Sequence, residues 1–149
     1  MKNAIATIGL AILAGSTWPL TAAAQGVPGQ PKTPTTPTIT VKITSPKNGA
    51  TVTSPVTIKL EASGVRIAPA SEELPGTAHH HLFVDHDLTW LTDTIPQGSP
   101  GIIHLSRGQT EFVLDSLKPG KHRIIALLAN WEHVPLNPLV ADTVTFTVK

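Results

Sequence analysis

Seven histidines are this chain's richest source of coordinating atoms; the first is His79. His79, His80 and His81 are consecutive, and His86, His104, His122 and His133 follow singly. There is no cysteine, and the single methionine is Met1. On an extended strand, side chains two residues apart share a face, so His79 and His81 point together and His80 points away. A His-x-His pair of this kind is a two-imidazole platform for a metal. Zinc and copper(II) both accept several imidazoles, and zinc–nitrogen bonds of about 2.0–2.1 Å require the rings to converge tightly. The lack of thiol and thioether ligands argues against copper(I) carriage and against a blue-copper centre. Further ligands must come from elsewhere, and His104 and His133 are expected to supply them from loops. The candidate metal set is therefore His79, His81, His104 and His133. The same residues are open to two other readings: a structural polar cluster that closes loops, or recognition of a small ligand or peptide.

Other chemistries find less support. Ser106 is near His104, but no Gly-x-Ser-x-Gly elbow accompanies it. Glu111 and Asp115 fall on a strand and its following turn, where exposed acids are common. Copper–zinc superoxide dismutase also carries a His-x-His strand pair on a β-sandwich, but its disulfide cysteines and glycine-rich zinc loop have no counterpart. No catalytic residue is assigned, and the chain is expected not to be an enzyme.

The elements that must position the histidines are short strands. Thr38–Thr44, Val56–Ala62, His79–Asp85, Thr110–Leu114, His122–Leu128 and Thr143–Val148 are six strand-like runs. Several alternate apolar and polar residues, and Gly and Pro punctuate them without helical periodicity, as in an all-β sandwich. Ser45–Gly49 is turn chemistry, with Asn48-Gly49 tolerating positive φ. Gly64–Ala78 and His86–Gln109 read as long connections, of the kind that carry function or mobility. The expected core is Leu60, Leu82, Val84, Phe112, Leu114, Leu117, Ile124, Leu128 and Phe146.

Two stretches resemble known folds. Ser45–Ile58 is similar to the opening of many bacterial immunoglobulin-like domains. Thr110–His122 resembles the E strand and E–F corner of immunoglobulin and fibronectin type III folds. That likeness implies an antiparallel β-sandwich in which Phe112, Leu114 and Leu117 point inward. It also puts His122 where the corner tyrosine usually stands, its ring bonded to nearby backbone. The chain from Ile43 onward resembles more closely a bacterial exported family, domain of unknown function 4399. The residues that carry this are His79-His80-His81-Leu82 with Asp85, His104 with Gly108–Glu111, Pro119–His122, and His133-Val134-Pro135 with Pro138. The chain departs from that pattern at Asn130-Trp131-Glu132, where an aspartate and a small or polar residue are more usual. In the sandwich topology the start of the third run, the approach to the fourth and the end of the fifth share one end. His79, His80, His81, His104 and His133 should gather there, with His86 and His122 at the opposite end.

The N-terminus sets an expected compartment. Lys2, the apolar run Ala4–Ala14 and the small residues Ala22-Ala23-Ala24 have the pattern of a secretory signal peptide, residues 1–24. The apolar run is shorter than the about 20 residues a membrane span needs. Gln25–Thr38 carries four prolines and reads as a flexible tether, so the sandwich domain is expected over residues 39–149. Without the leader, ten Lys/Arg face ten Asp/Glu, because Lys2 is one of the chain's eleven basic residues. That balance offers no basic patch for a phosphate backbone, so nucleic acid is not an expected partner. These readings describe a periplasmic or secreted histidine-rich binding domain that takes zinc or copper(II). The alternative is a cell-envelope interaction module with structural histidines and no metal.

Overall fold

The computed structural model describes residues 37–88 and 93–149. The expected signal peptide, all but the last two residues of the expected tether, and Trp90 lie outside the described residues. The described fold is all-β apart from one short 3-10 turn, Ala70–Glu72. Its strands are β1 (Thr40–Ser45), β2 (Thr51–Val52), β3 (Val56–Ser63), β4 (Arg66–Ile67), β5 (Thr77–Val84), β6 (Ile102–Leu105), β7 (Glu111–Leu114), β8 (Gly120–Ala129) and β9 (Ala141–Val148). Among the described residues no helix is long and apolar enough to cross a membrane.

Two sheets form. The smaller has the order β1-β3-β7, and the larger β2-β9-β8-β5-β4, with β6 also pairing β5. Period-2 alternation builds their shared core. Val41 and Ile43 of β1, Val56, Ile58 and Leu60 of β3, and Val144, Phe146 and Val148 of β9 all turn inward. Ile124, Ala126 and Leu128 of β8 and Ala78 and Leu82 of β5 meet them from the larger sheet. Of the expected core, Leu60, Leu82, Leu114, Ile124, Leu128 and Phe146 are buried. Val84, Phe112 and Leu117 are only partly buried and pack against its margin.

Two features correct the expectation. The larger sheet is mixed, not antiparallel throughout: β2 runs parallel to β9 and β4 parallel to β5. Both added strands are two-residue segments that dock on edges, too short to leave a hydrophobic period. The stretch His86–Gln109 is not one long connection, because it contains β6. Ile102 and Ile103 are both apolar, one for each face, so β6 has no alternation by which to be read. His80, for which the alternation predicts only that it faces away from His79 and His81, is fully buried, because its face of β5 is the inner one.

A second, smaller core lies on the outer face of the larger sheet. Phe83, Ile102, Ile125, Leu127 and Ala129 point outward there and are covered by Ile95, with Leu88 packed against them. Residues 77–83 of β5 are therefore all buried, with neighbours on both faces. Gly101 fixes the entry to β6. Its φ is +79°, and a Cβ there would stand 2.9 Å from the Val84 carbonyl oxygen. The Gly101 carbonyl accepts from the Val84 N–H at 2.7 Å, which seats β6 on the end of β5.

Candidate metal centre

Four imidazoles meet on the outer face of the larger sheet, at the end where β5 begins and β8 finishes. β5 supplies His79 and His81, which alternate away from the inner face together. β6 supplies His104, directly opposite His81 in the antiparallel ladder. His104 thus comes from a strand, and the expectation of a loop position is corrected. His133 follows β8, whose last residue, Ala129, pairs with His79.

The loop that carries His133 is tightly held. Asn130 O accepts from the His133 N–H at 2.9 Å, and Asn130 Oδ1 accepts from the Val134 N–H at 2.9 Å. His133 adopts φ 65°, in the left-handed region that non-glycine residues rarely occupy. Its carbonyl accepts from the Ile95 N–H at 2.9 Å, which ties the loop to the segment covering the outer face. The Asn130 side chain closes a turn, work that asparagine and aspartate can both do.

The rings are in mutual contact. His79 Nε2 and His81 Nε2 are 2.9 Å apart, and His104 Nε2 and His133 Nε2 are 3.1 Å apart. Ring centroids across the four lie 4.5–5.8 Å from one another, the longest separation being His81 to His133. One ligand atom from each of His79, His104 and His133 falls within 4.8 Å of the other two. The Gln97 carboxamide nitrogen reaches His133 Nε2 at 3.3 Å. His79 and His81 are buried, while His104 and His133 are partly exposed. The site has a closed side in the sheet and an open side toward solvent.

Burial governs the electrostatics. It pulls His79 down to about 3 and His81 down to about 2, and repulsion from neighbouring imidazoles adds to both shifts. His104 is lowered too, by burial first and then by His133. These rings stay neutral and keep their lone pairs, as metal ligation requires. On the opposite face of β5, burial also lowers His80, although its Nδ1 bonds Gln109 O at 3.1 Å. Its Nε2 is buried without a hydrogen-bond partner among the described residues.

His122 and His86 lie at the far end of β5 and β8. His122 Nε2 donates to Lys118 O at 2.8 Å, the local backbone bond expected of a corner residue. Its Nδ1 also pairs with Asp85 Oδ2 at 2.7 Å, a partner the sequence did not disclose. Burial alone draws His122 down, but the bonds to Lys118 and Asp85 outweigh it, and the net shift is upward. Asp85 itself sits at φ 52° and accepts from the Arg123 N–H at 2.8 Å. His122 therefore ties Lys118 to Asp85, remote from the cluster.

The family described as Domain of unknown function (DUF4399) matches residues 58–149. No curated protein and no solved structure matches the chain. The chain belongs to the DUF4399 family, and the matched region contains all of the clustered histidines.

Proposed function

We propose that this member of the DUF4399 family is an exported, non-catalytic binding domain that holds one divalent ion, zinc or copper(II), on the outer face of its larger sheet. His79, His104 and His133 are its ligands, and His81 lines the buried side. The observation that carries this reading is the convergence of three imidazole nitrogens within 4.8 Å of one another. Two nitrogens on one tetrahedral zinc stand roughly 3.3–3.4 Å apart, and neighbours on a square-planar copper roughly 2.8–2.9 Å apart. The His104–His133 Nε2 separation of 3.1 Å is already of that size. The signal-peptide pattern supports export to the periplasm or beyond. The strand order β1-β3-β7 against β9-β8-β5 supports an immunoglobulin-like or fibronectin-III-like arrangement.

A second reading has its own observation. The four rings bond one another in two pairs, as the rings of a structural polar cluster would. On that reading the domain is a cell-envelope interaction module, and its partner is another envelope protein. Calorimetric titration of the purified protein with zinc and with copper(II) separates the two. The metal reading expects one ion per chain, bound tighter than about 0.1 mM (about −5.5 kcal/mol), and lost in His79→Ala. Absence of such binding in the parent leaves the interaction module.

A further inference from the structure

The hydrogen-bond inventory of the cluster says what an ion would need beyond its three imidazoles. His81 Nδ1 is buried and has no hydrogen-bond partner among the described residues. Orphaned buried N–H groups are the rarer defect, so the proton belongs on Nε2 and the unused lone pair on Nδ1. His81 Nε2–H then donates to His79 Nε2, 2.9 Å away. Ligation through His81 Nε2 would reverse this and strand an N–H at Nδ1, where ligating histidines normally donate to a partner. His81 is thus a poor fourth ligand. At the open side, the Gln97 amide nitrogen is donor only, so across the 3.3 Å contact His133 Nε2 accepts, and it accepts from His104 Nε2–H at 3.1 Å as well. The His104 ring is partly exposed, so on ligation its proton can move to Nδ1 and meet water, which the buried His81 cannot do.

An ion that takes the lone pairs of His79 and His133 removes the acceptor of both donors. His81 Nε2–H and the Gln97 amide would then border the coordination sphere with nothing to bond. A small anion on the ion supplies an acceptor for both. Resting on the metal reading, we propose that the ion is held by His79, His104 and His133 and keeps a fourth position for a small inorganic anion, hydrogen-bonded by His81 Nε2–H and the Gln97 carboxamide. Water takes that place when no anion is present. Access is from the side where His104 and His133 are partly exposed and Gln97 is exposed.

The test uses the purified protein loaded with cobalt(II), with azide as the probe. The parent should bind one cobalt per chain, and azide should change its visible absorption saturably at one equivalent. His81→Leu should keep the cobalt and weaken azide about tenfold, the scale of one hydrogen bond. Gln97→Leu, at an exposed position with little bearing on folding, should do the same. Loss of cobalt from a folded His81→Leu, checked by circular dichroism, makes His81 a ligand and overturns the open site. So does an absorption spectrum that azide leaves unchanged in the parent, or azide affinity untouched in Gln97→Leu. A parent that binds no cobalt, zinc or copper(II) removes the metal reading itself, a distinct result.

Discussion

His81 and His104 face each other across the β5–β6 ladder with their rings stacked, centroids 4.8 Å apart and planes 14° from parallel. The register of one short strand therefore decides whether the site exists. A slip of one residue would turn His104 to the inner face and bring Ile103 or Leu105 outward. His104→Ala should weaken zinc binding by more than about 100-fold, beyond the usual cost of losing a mere outer-shell partner. Because His104 is partly exposed, stability without metal should change by less than about 1 kcal/mol. Calorimetry and thermal unfolding of the same variant check both halves, and unchanged affinity would show that β6 contributes no ligand.

The His133 loop offers a separate handle. Asn130 holds it through one backbone and one side-chain acceptor, and its carboxamide nitrogen donates to Glu132 Oε2. Asn130→Ala should lower zinc affinity roughly tenfold, at the mild end of outer-shell effects. Asn130→Asp, whose carboxylate accepts the same Val134 N–H, should restore it. Equal affinity in all three proteins would mean that the left-handed turn holds without this clasp.

Buried histidines make stability depend on pH in a definite direction. His79, His80 and His81 have folded-state pKa values below the unfolded value near 6.5. Below that pH the unfolded chain takes up protons that the folded chain refuses. Stability therefore falls as pH drops from about 6.5 toward 3, by up to about 1.4 kcal/mol per pH unit for each such ring. Denaturant unfolding at several pH values measures the slope, with metal removed. His80→Leu should reduce it by about one ring's share and leave zinc binding in place. A parent equally stable at pH 5 and pH 7 would contradict the burial of these rings as neutral groups.

His122 has the opposite sign. Its folded pKa is raised, so its contribution is complete below the unfolded value near 6.5 and is lost as pH rises through the folded one. Asp85→Asn should bring the His122 titration, followed by NMR, back down. His122→Ala removes both ring hydrogen bonds and the contact with Phe146, whose ring centroid is 5.9 Å away. It should cost roughly 1–3 kcal/mol of stability without altering metal affinity. Loss of zinc binding in this variant, with folding intact, would place the metal site at the wrong end of the fold.

The strands that were legible in the sequence are those with one face in the core and one in water. Thr40–Ser45 and Val56–Ser63 alternate because Lys42 and Lys59 meet solvent while Val41, Ile43, Ile58 and Leu60 do not. Where both faces are covered, the period disappears: His80–Phe83 and Ile102–Leu105 read as apolar or histidine runs, and β6 went unseen inside a loop. The pairing of His79 with His81 needed only the two-residue repeat. The place of His104 needed a ladder partner more than 20 residues away, and that of His133 a positive φ on a residue type that carries no mark of it. That the cluster lies outside the larger sheet follows from the covering segment around Ile95, whose packing no local pattern announces.

The parallel pairing of β2 with β9 has a mechanical consequence. Gly49 N–H, Thr147 N–H and Lys149 N–H each close a hydrogen bond between the residues around β2 and the C-terminal strand, at 2.7, 2.9 and 3.0 Å. Parallel neighbours have their starts at one end and their finishes at the other. Once β1 has been drawn off β3, tension applied between the two ends of the domain runs along β2 and β9 in opposite senses. The three bonds are then loaded together in shear, not peeled one after another as in a hairpin. A domain held from its N-terminal side and pulled at Lys149 resists at this seam, far from the histidines, and the seam must rupture before β9 can be stripped from β8.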